Sequence, residues 1–484
     1  MNSSLFSFLE LISTGLMFLA VIYSIFSIFK VNYFNPVVQI FVKIVGPFTK
    51  VFLGINKSVS GLIVAIVFKF LGLLNYVSSY SYILLISISF FEVLIVFFKI
   101  LFYFVIAGVV KSWVAPFSKN DMWMIVETKK IVLDSKLECA SGEALESFEL
   151  MTDFYGELNE KKDNAVLVCH AFSGSHHAAG KRDSNIGWWD EFIGPDKTID
   201  TNHFFVISIN NLGSCFGSSG PLSKDKNGER FNNNFPQLEV VDWVESQKML
   251  ADKLGIKKWH LVIGGSLGGM QSLQWAVSYP KMVKKVGILA AAAKTSSQNI
   301  ALNEVEREVI KKDGDFHDGK YLEFNKSPIK GLKAARMLGH ITYLSAKNMD
   351  LRFGRKLQST DSRIAEDVNF EIENYLQYKG GKFAELFDAN SYILLTKVMD
   401  KFDIAHGYEE SLEAALENVS AEMLVVSFTS DWMFPASNGK EICLASIKAN
   451  KKCSYIELEG EYGHDSFLYP NESYQNALKN FIES

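Results

Sequence analysis

The sequence predicts two unlike parts: an all-helical transmembrane block over residues 1–117, then an α/β protein on a mainly parallel sheet with an inserted helical lid. Three observations lead there. Residues 1 to 116 are dominated by Phe, Ile, Leu and Val, whereas the chain from Ser118 onward has the composition of an ordinary soluble protein. Beyond that junction, short apolar runs alternate with helix-length segments, the pattern of a parallel sheet covered by helices on both faces. A long charged helical stretch, residues 296–415, then interrupts the alternation.

The amino-terminal block holds two confident spans, residues 5–29 and 81–110, and a third at 61–77, since about 20 apolar residues cross a bilayer. Residues 37–57 differ. Lys43, Lys50 and Lys57 recur every seven residues, so they share one helix face opposite Val, Ile and Phe. That pattern predicts a helix lying in the membrane interface. Glu92 and Lys99 fall inside a span on one face, where the plainest reading is that they face neighbouring helices. "NYFNPVVQIFVKIVGPF" (32–48) and "KSWVAP" (111–116) resemble the YggT family of small bacterial membrane proteins, and the resemblance covers only this block.

The net charge of −5, with no basic stripe, excludes a nucleic-acid partner. Five scattered cysteines without a C-x-x-C suggest neither a disulfide framework nor a zinc site.

Strands are expected at 165–172, 203–210, 258–263, 286–293, 421–428 and 453–458, with a polar junction over 118–130. The core is thus split into residues 118–295 and 416–484, with the lid at 296–415 between them. At "HLVIGGSLGGMQ" an apolar strand runs into Ser266 fenced by four glycines. A sharp strand-to-helix corner needs small neighbours, and it lifts the serine hydroxyl above the sheet beside a helix N-terminus. A phosphate loop would need Lys-Ser or Lys-Thr after its glycines, and Met270-Gln271 stands there instead.

Chain order supplies the partners. Asp431 ends one late strand and His464 follows the last, the order Ser, Asp, His of an α/β-hydrolase fold. The backbone N–H groups of Leu267 and Phe172 are the expected oxyanion donors. His170, His176 and His177 cluster in one loop, but no carboxylate or cysteine spacing completes a metal site, so neither a metal nor a cofactor is expected.

The motifs "CHAFSGSHH", "NNLGSCFGSSGP", "GGSLGGMQ", "SSQNIALNEVER", "ARMLGHITYLS", "FTSDWMFP" and "GHDSFL" are similar, in order, to the MetX family of homoserine O-acyltransferases, from about Lys129 to the carboxyl terminus. The resemblance implies a Ser266–Asp431–His464 triad, with Arg336 and Asp465 holding the amino acid. On residues alone, Arg336 reads as a solvated helix position and Asp465 as a loop residue. It further implies L-homoserine and an acyl-CoA as substrates and a homodimer through lid helices. Met433 stands where succinyl-type members often carry arginine, which favours acetyl-CoA as donor; the rest of the chain looks more like the succinyl branch, and succinyl-CoA is the alternative. A carboxylesterase on the same fold, or a non-catalytic membrane protein, are the rival classes. The enzyme is expected at the inner membrane, its catalytic domain in the cytoplasm.

Overall fold

The computed structural model describes residues 126–182, 185–357 and 370–484. The expected spans, the in-plane helix and the Glu92–Lys99 pair lie outside the described residues. Among the described residues, no helix is long and apolar enough to cross a membrane.

Eight strands form one sheet: β1 (Val126–Leu133), β2 (Phe148–Tyr155), β3 (Ala165–Cys169), β4 (Phe205–Ile209), β5 (Trp259–Gly265), β6 (Val283–Leu289), β7 (Glu422–Phe428) and β8 (Cys453–Leu458). Their spatial order is β1-β2-β4-β3-β5-β6-β7-β8. The pairs β1–β2 and β2–β4 are antiparallel, and the neighbours from β4 to β8 are parallel. All six expected strands are present. The two antiparallel ones are additions, and β1 overlaps the segment expected to be a polar junction. Its charged residues Glu127, Lys129 and Lys130 are exposed, and pairing with β2 satisfies the backbone.

Alternation along the central strands feeds two cores. On β3, Ala165, Leu167 and Cys169 face one cluster, which takes in α1 (Val240–Leu254) and α2 (Leu267–Ser278). Val166 and Val168 face the other. That second face carries one long helix near the carboxyl terminus, Glu472–Glu483. The remainder is covered by an irregular aromatic segment with Trp189, Phe192 and Ile199, so helices cover that face only in part. "GWWDEFIGP" lacks helical periodicity and is followed directly by a left-handed residue, Asp196 at φ +61°.

Between β6 and β7 the chain passes through α3 (Ser297–Lys311), α4 (Ile329–Tyr343), α5 (Ala346–Arg352), α6 (Glu371–Ala384), α7 (Ala389–Asp400) and α8 (Leu412–Leu416). Ser296 caps α3 by accepting from Asn299 N–H, and Asp388 caps α7 by accepting from Ser391 N–H. Entry and exit of this excursion are tied together. Thr295 N–H donates to the Phe402 carbonyl and Ile404 N–H to that of Ala293, each at 2.9 Å, around a Lys294–Asp403 bridge.

Candidate active site

β5 ends at Gly265 and α2 begins at Leu267, which leaves Ser266 alone at the corner with φ +58° and ψ −126°. A residue with a Cβ held there costs about 1–3 kcal/mol, so the surroundings must impose it. They do so by close approach. A Cβ on Gly268 would sit 2.1 Å from the Cys169 carbonyl oxygen, and one on Gly264 2.6 Å from the same atom. Ser266 N–H donates to Leu289 O at the end of β6 (2.9 Å), which pins the corner across the sheet.

Asp431 and His464 follow β7 and β8, and the structure brings both to the serine. His464 Nε2 lies 2.7 Å from Ser266 Oγ, and His464 Nδ1 lies 2.8 Å from Asp431 Oδ2. The other Asp431 oxygen accepts from the Met433 and Phe434 N–H groups at 3.0 and 2.8 Å, so the carboxylate cannot swing away. All three side chains are buried. Burial opposes charging of the imidazole, but the adjacent Asp431 carboxylate outweighs it and His464's pKa is raised.

Leu267 N–H opens α2, where no intrahelical acceptor exists. Phe172 sits in the loop after β3, buried edge-on against Tyr392 and stacked on Phe387. The rest of that loop is held from behind. The Tyr155 hydroxyl accepts from the Ala178 and Ala179 N–H groups, and Arg182 binds Asp153 at 2.9 Å.

The three histidines there are held by neighbours: His177 Nδ1 lies 3.3 Å from Asp153 Oδ2 and His176 Nε2 lies 3.3 Å from Arg182 Nη1. His170 Nε2 accepts from Asn211 N–H while Nδ1 faces the Ala171 carbonyl, and burial pushes its pKa down to about 4. Among the described residues no group of three or more His, Cys, Asp or Glu is placed to hold a metal ion.

Above Ser266 a cleft of about 740 Å³, its open mouth included, runs beneath the lid. Arg336, Asp465, Met433 and Phe172 all line it, together with Glu306. Arg336 is not a solvated helix position. It lies over the Tyr343 and Phe383 rings at 5.0 and 4.4 Å, and its Nε is buried without a hydrogen-bond partner among the described residues. Burial raises the pKa of Asp465, against the pull of His464 and Arg336. Glu306 is a cleft residue that sequence reasoning missed: in "LNEVEREVI" it looks like one more surface charge of a helix.

The sheet order and the strained serine at the end of β5 define an α/β-hydrolase-fold protein. The family described as alpha/beta hydrolase fold matches residues 164–469. A homoserine O-succinyltransferase of Neisseria gonorrhoeae is 47% identical over 371 residues, which is 76% of this chain and 98% of that protein. Among solved structures, homoserine O-acetyltransferase from Bacillus anthracis superposes with a TM-score of 0.69 at 29% identity, over 74% of this chain and 98% of the other. Esterase E22 gives 0.68 at 28%, over 74% and 100%. The chain belongs to the MetX-type homoserine O-acyltransferase family.

Proposed function

We propose that this protein transfers a succinyl group from succinyl-CoA to the hydroxyl of L-homoserine through an acyl-serine intermediate, a step of methionine biosynthesis. The observation that carries the transferase reading is the pair of opposite charges, Arg336 and Asp465, in the cleft of Ser266, neither of which forms an ion pair among the described residues. They complement a zwitterionic amino acid, and a plain esterase would have no use for them. The relatives support the succinyl alternative over the acetyl donor expected from Met433. Met433 does line the cleft, but the absence of a cation at one position leaves other donors free to meet a carboxylate.

In the first half-reaction His464 Nε2 takes the proton of Ser266 Oγ as Oγ attacks the thioester carbon. The C–S bond breaks, and His464 returns the proton to the leaving CoA thiolate. Leu267 and Phe172 N–H groups donate to the oxyanion. In the second, Arg336 binds the homoserine carboxylate and Asp465 its ammonium. His464 then takes the homoserine hydroxyl proton, the alkoxide oxygen attacks the acyl carbon, and Ser266 leaves with the proton restored. No cofactor is needed beyond the acyl-CoA co-substrate.

Residues 118–295 and 416–484 act as the catalytic core and 296–415 as a lid that keeps water from the acyl-serine. The apolar composition of residues 1–117 supports anchoring at the inner membrane, with the catalytic unit in the cytoplasm where acyl-CoA is made. A homodimer through the lid helices completes the reading, and sedimentation of the native protein tests it. The decisive assay follows thiol release from succinyl-CoA and acetyl-CoA with and without L-homoserine. Release that ignores homoserine, with hydrolysis of simple esters, would return the protein to the esterases.

A further inference from the structure

We propose that Glu306 is a specificity-determining residue of the cleft, its carboxyl hydrogen-bonding through Oε1 to the free carboxylate of a dicarboxylic acyl group held on Ser266. This rests on the succinyl-CoA reading above. Glu306 lies on α3 on the face that also presents Asn299, Leu302 and Asn303, at helical spacing. Leu302, Asn303 and Glu306 line the cleft, and Glu306 is only 5% exposed. Its Oε2 accepts from the Tyr392 hydroxyl at 2.8 Å, and Tyr392 is wholly buried, so the carboxyl is anchored from behind. Oε1 has no hydrogen-bond partner among the described residues.

The neighbouring charges leave this carboxyl unpaired. Arg307, next along α3, is committed to Glu304 at 2.7 Å and to Asp400 at 2.6 Å. Arg336 on α4 attracts Glu306 without forming an ion pair with it. The other titratable groups facing it are Tyr392 and Asp400 on α7 and Tyr343 on α4, with His464 and Asp465 further along the cleft. Burial pushes the Glu306 carboxyl up to about 7, against the pull of its Tyr392 hydrogen bond and of the two arginines. Near neutral pH a large share of the molecules therefore carry a proton there.

The second half-reaction brings two carboxylates into this cleft, one on the acyl group and one on homoserine. Among the described lining residues Arg336 is the one arginine or lysine. Once the amino acid claims it, the acyl carboxylate needs another donor. A carboxylic acid facing a carboxylate makes a short charge-assisted hydrogen bond, and the second negative charge holds the proton on Glu306 more firmly. The proton stays on Glu306 throughout. Against an acetyl group the same carboxyl meets a methyl and gains no bond. An ionised Glu306 repels the succinyl carboxylate.

The test uses the full-length enzyme and the ratio of kcat/KM for succinyl-CoA to that for acetyl-CoA, from roughly pH 6 to pH 9. The ratio cancels the titration of His464, which both donors share. In the wild type it should fall with rising pH, approaching about tenfold per unit above the Glu306 pKa. Glu306→Gln keeps a donor but cannot ionise, so its ratio should stay flat and exceed the wild type at the alkaline end. Glu306→Leu should lower the ratio roughly tenfold to a hundredfold at the acid end. A wild-type ratio independent of pH overturns the inference, as does a Leu ratio within about twofold of wild type. Should the Leu variant not fold, the near-isosteric Gln variant decides alone, and a Gln profile that tracks the wild type refutes the idea. Wild-type enzyme that transfers no succinyl group at any pH refutes the donor reading itself. Succinyl transfer insensitive to both variants refutes this inference alone.

Discussion

Arg336 and Asp465 line one cleft and pull on each other's charge, yet no ion pair joins them. Opposite charges held apart at a reactive serine are arranged for a guest with both charges of its own. Arg336→Leu and Asp465→Asn should each lower kcat/KM for homoserine roughly tenfold to a thousandfold. Acylation of Ser266 by acyl-CoA alone should change far less. Equal damage to both half-reactions, read by single-turnover thiol release, would make these residues architectural.

Ser266→Ala should abolish transfer. Intact-mass measurement after mixing with acyl-CoA should find one added acyl group on the wild type and none on the variant. Circular dichroism should be unchanged. A transfer rate near wild type would remove the covalent intermediate from the mechanism.

The pH profile follows from His464. Its folded pKa is raised above the ordinary 6.5, because Asp431's attraction outweighs burial. The base must be neutral to act, so acetyl transfer should decline as pH falls through the raised value and level off above it. For stability the sign is opposite. The His464–Asp431 pair contributes fully below the unfolded value and loses its contribution as pH rises through the folded one. Asp431→Asn should move the acid limb to lower pH and cut kcat by about 10³–10⁴-fold. A limb that stays in place would mean another group controls it.

Gly268→Ala should destabilise by about 1–3 kcal/mol, since its Cβ would meet immobile backbone of β3. Gly314→Ala is the matched control: nothing lies within 4 Å of the new methyl and the change should stay within about 0.5 kcal/mol. Urea midpoints at constant m-value measure both.

A chain beginning at Lys119 keeps all of β1 and every cleft residue, and it should retain homoserine acyltransferase activity. If it folds by circular dichroism and is inactive while the full chain works, the amino-terminal block takes part in catalysis.

The parallel strands were legible because burial on both faces forces unbroken apolar runs such as "AVLVC", and the serine corner because four glycines around one hydroxyl suit a strained strand-to-helix turn while Met270-Gln271 denies a phosphate loop. β1 was not legible. Its exposed Glu127, Lys129 and Lys130 read as a linker, and only pairing with β2, the next strand of the sheet along the chain, makes it a strand. Arg336 and Glu306 were hidden for a related reason. Local sequence shows a charged residue on a helix, while the place of Arg336 against Phe383 arises from α4 packing on α6, and the burial of Glu306 from α3 meeting Tyr392 on α7.

The laced segments at Ala293–Thr295 and Phe402–Ile404 make the lid a loop with a closed neck. The sheet therefore sees a connection closed at the neck, with α8 leading back to β7, however much chain lies beyond it. Loop-closure entropy grows slowly with length, so residues added to or removed from the head cost the sheet below it little. The catalytic floor is in effect a socket. Heads of different size and lining can be fitted to it over evolutionary time, or by an engineer grafting at Lys294 and Asp403, without disturbing the register that holds Ser266, Asp431 and His464 together.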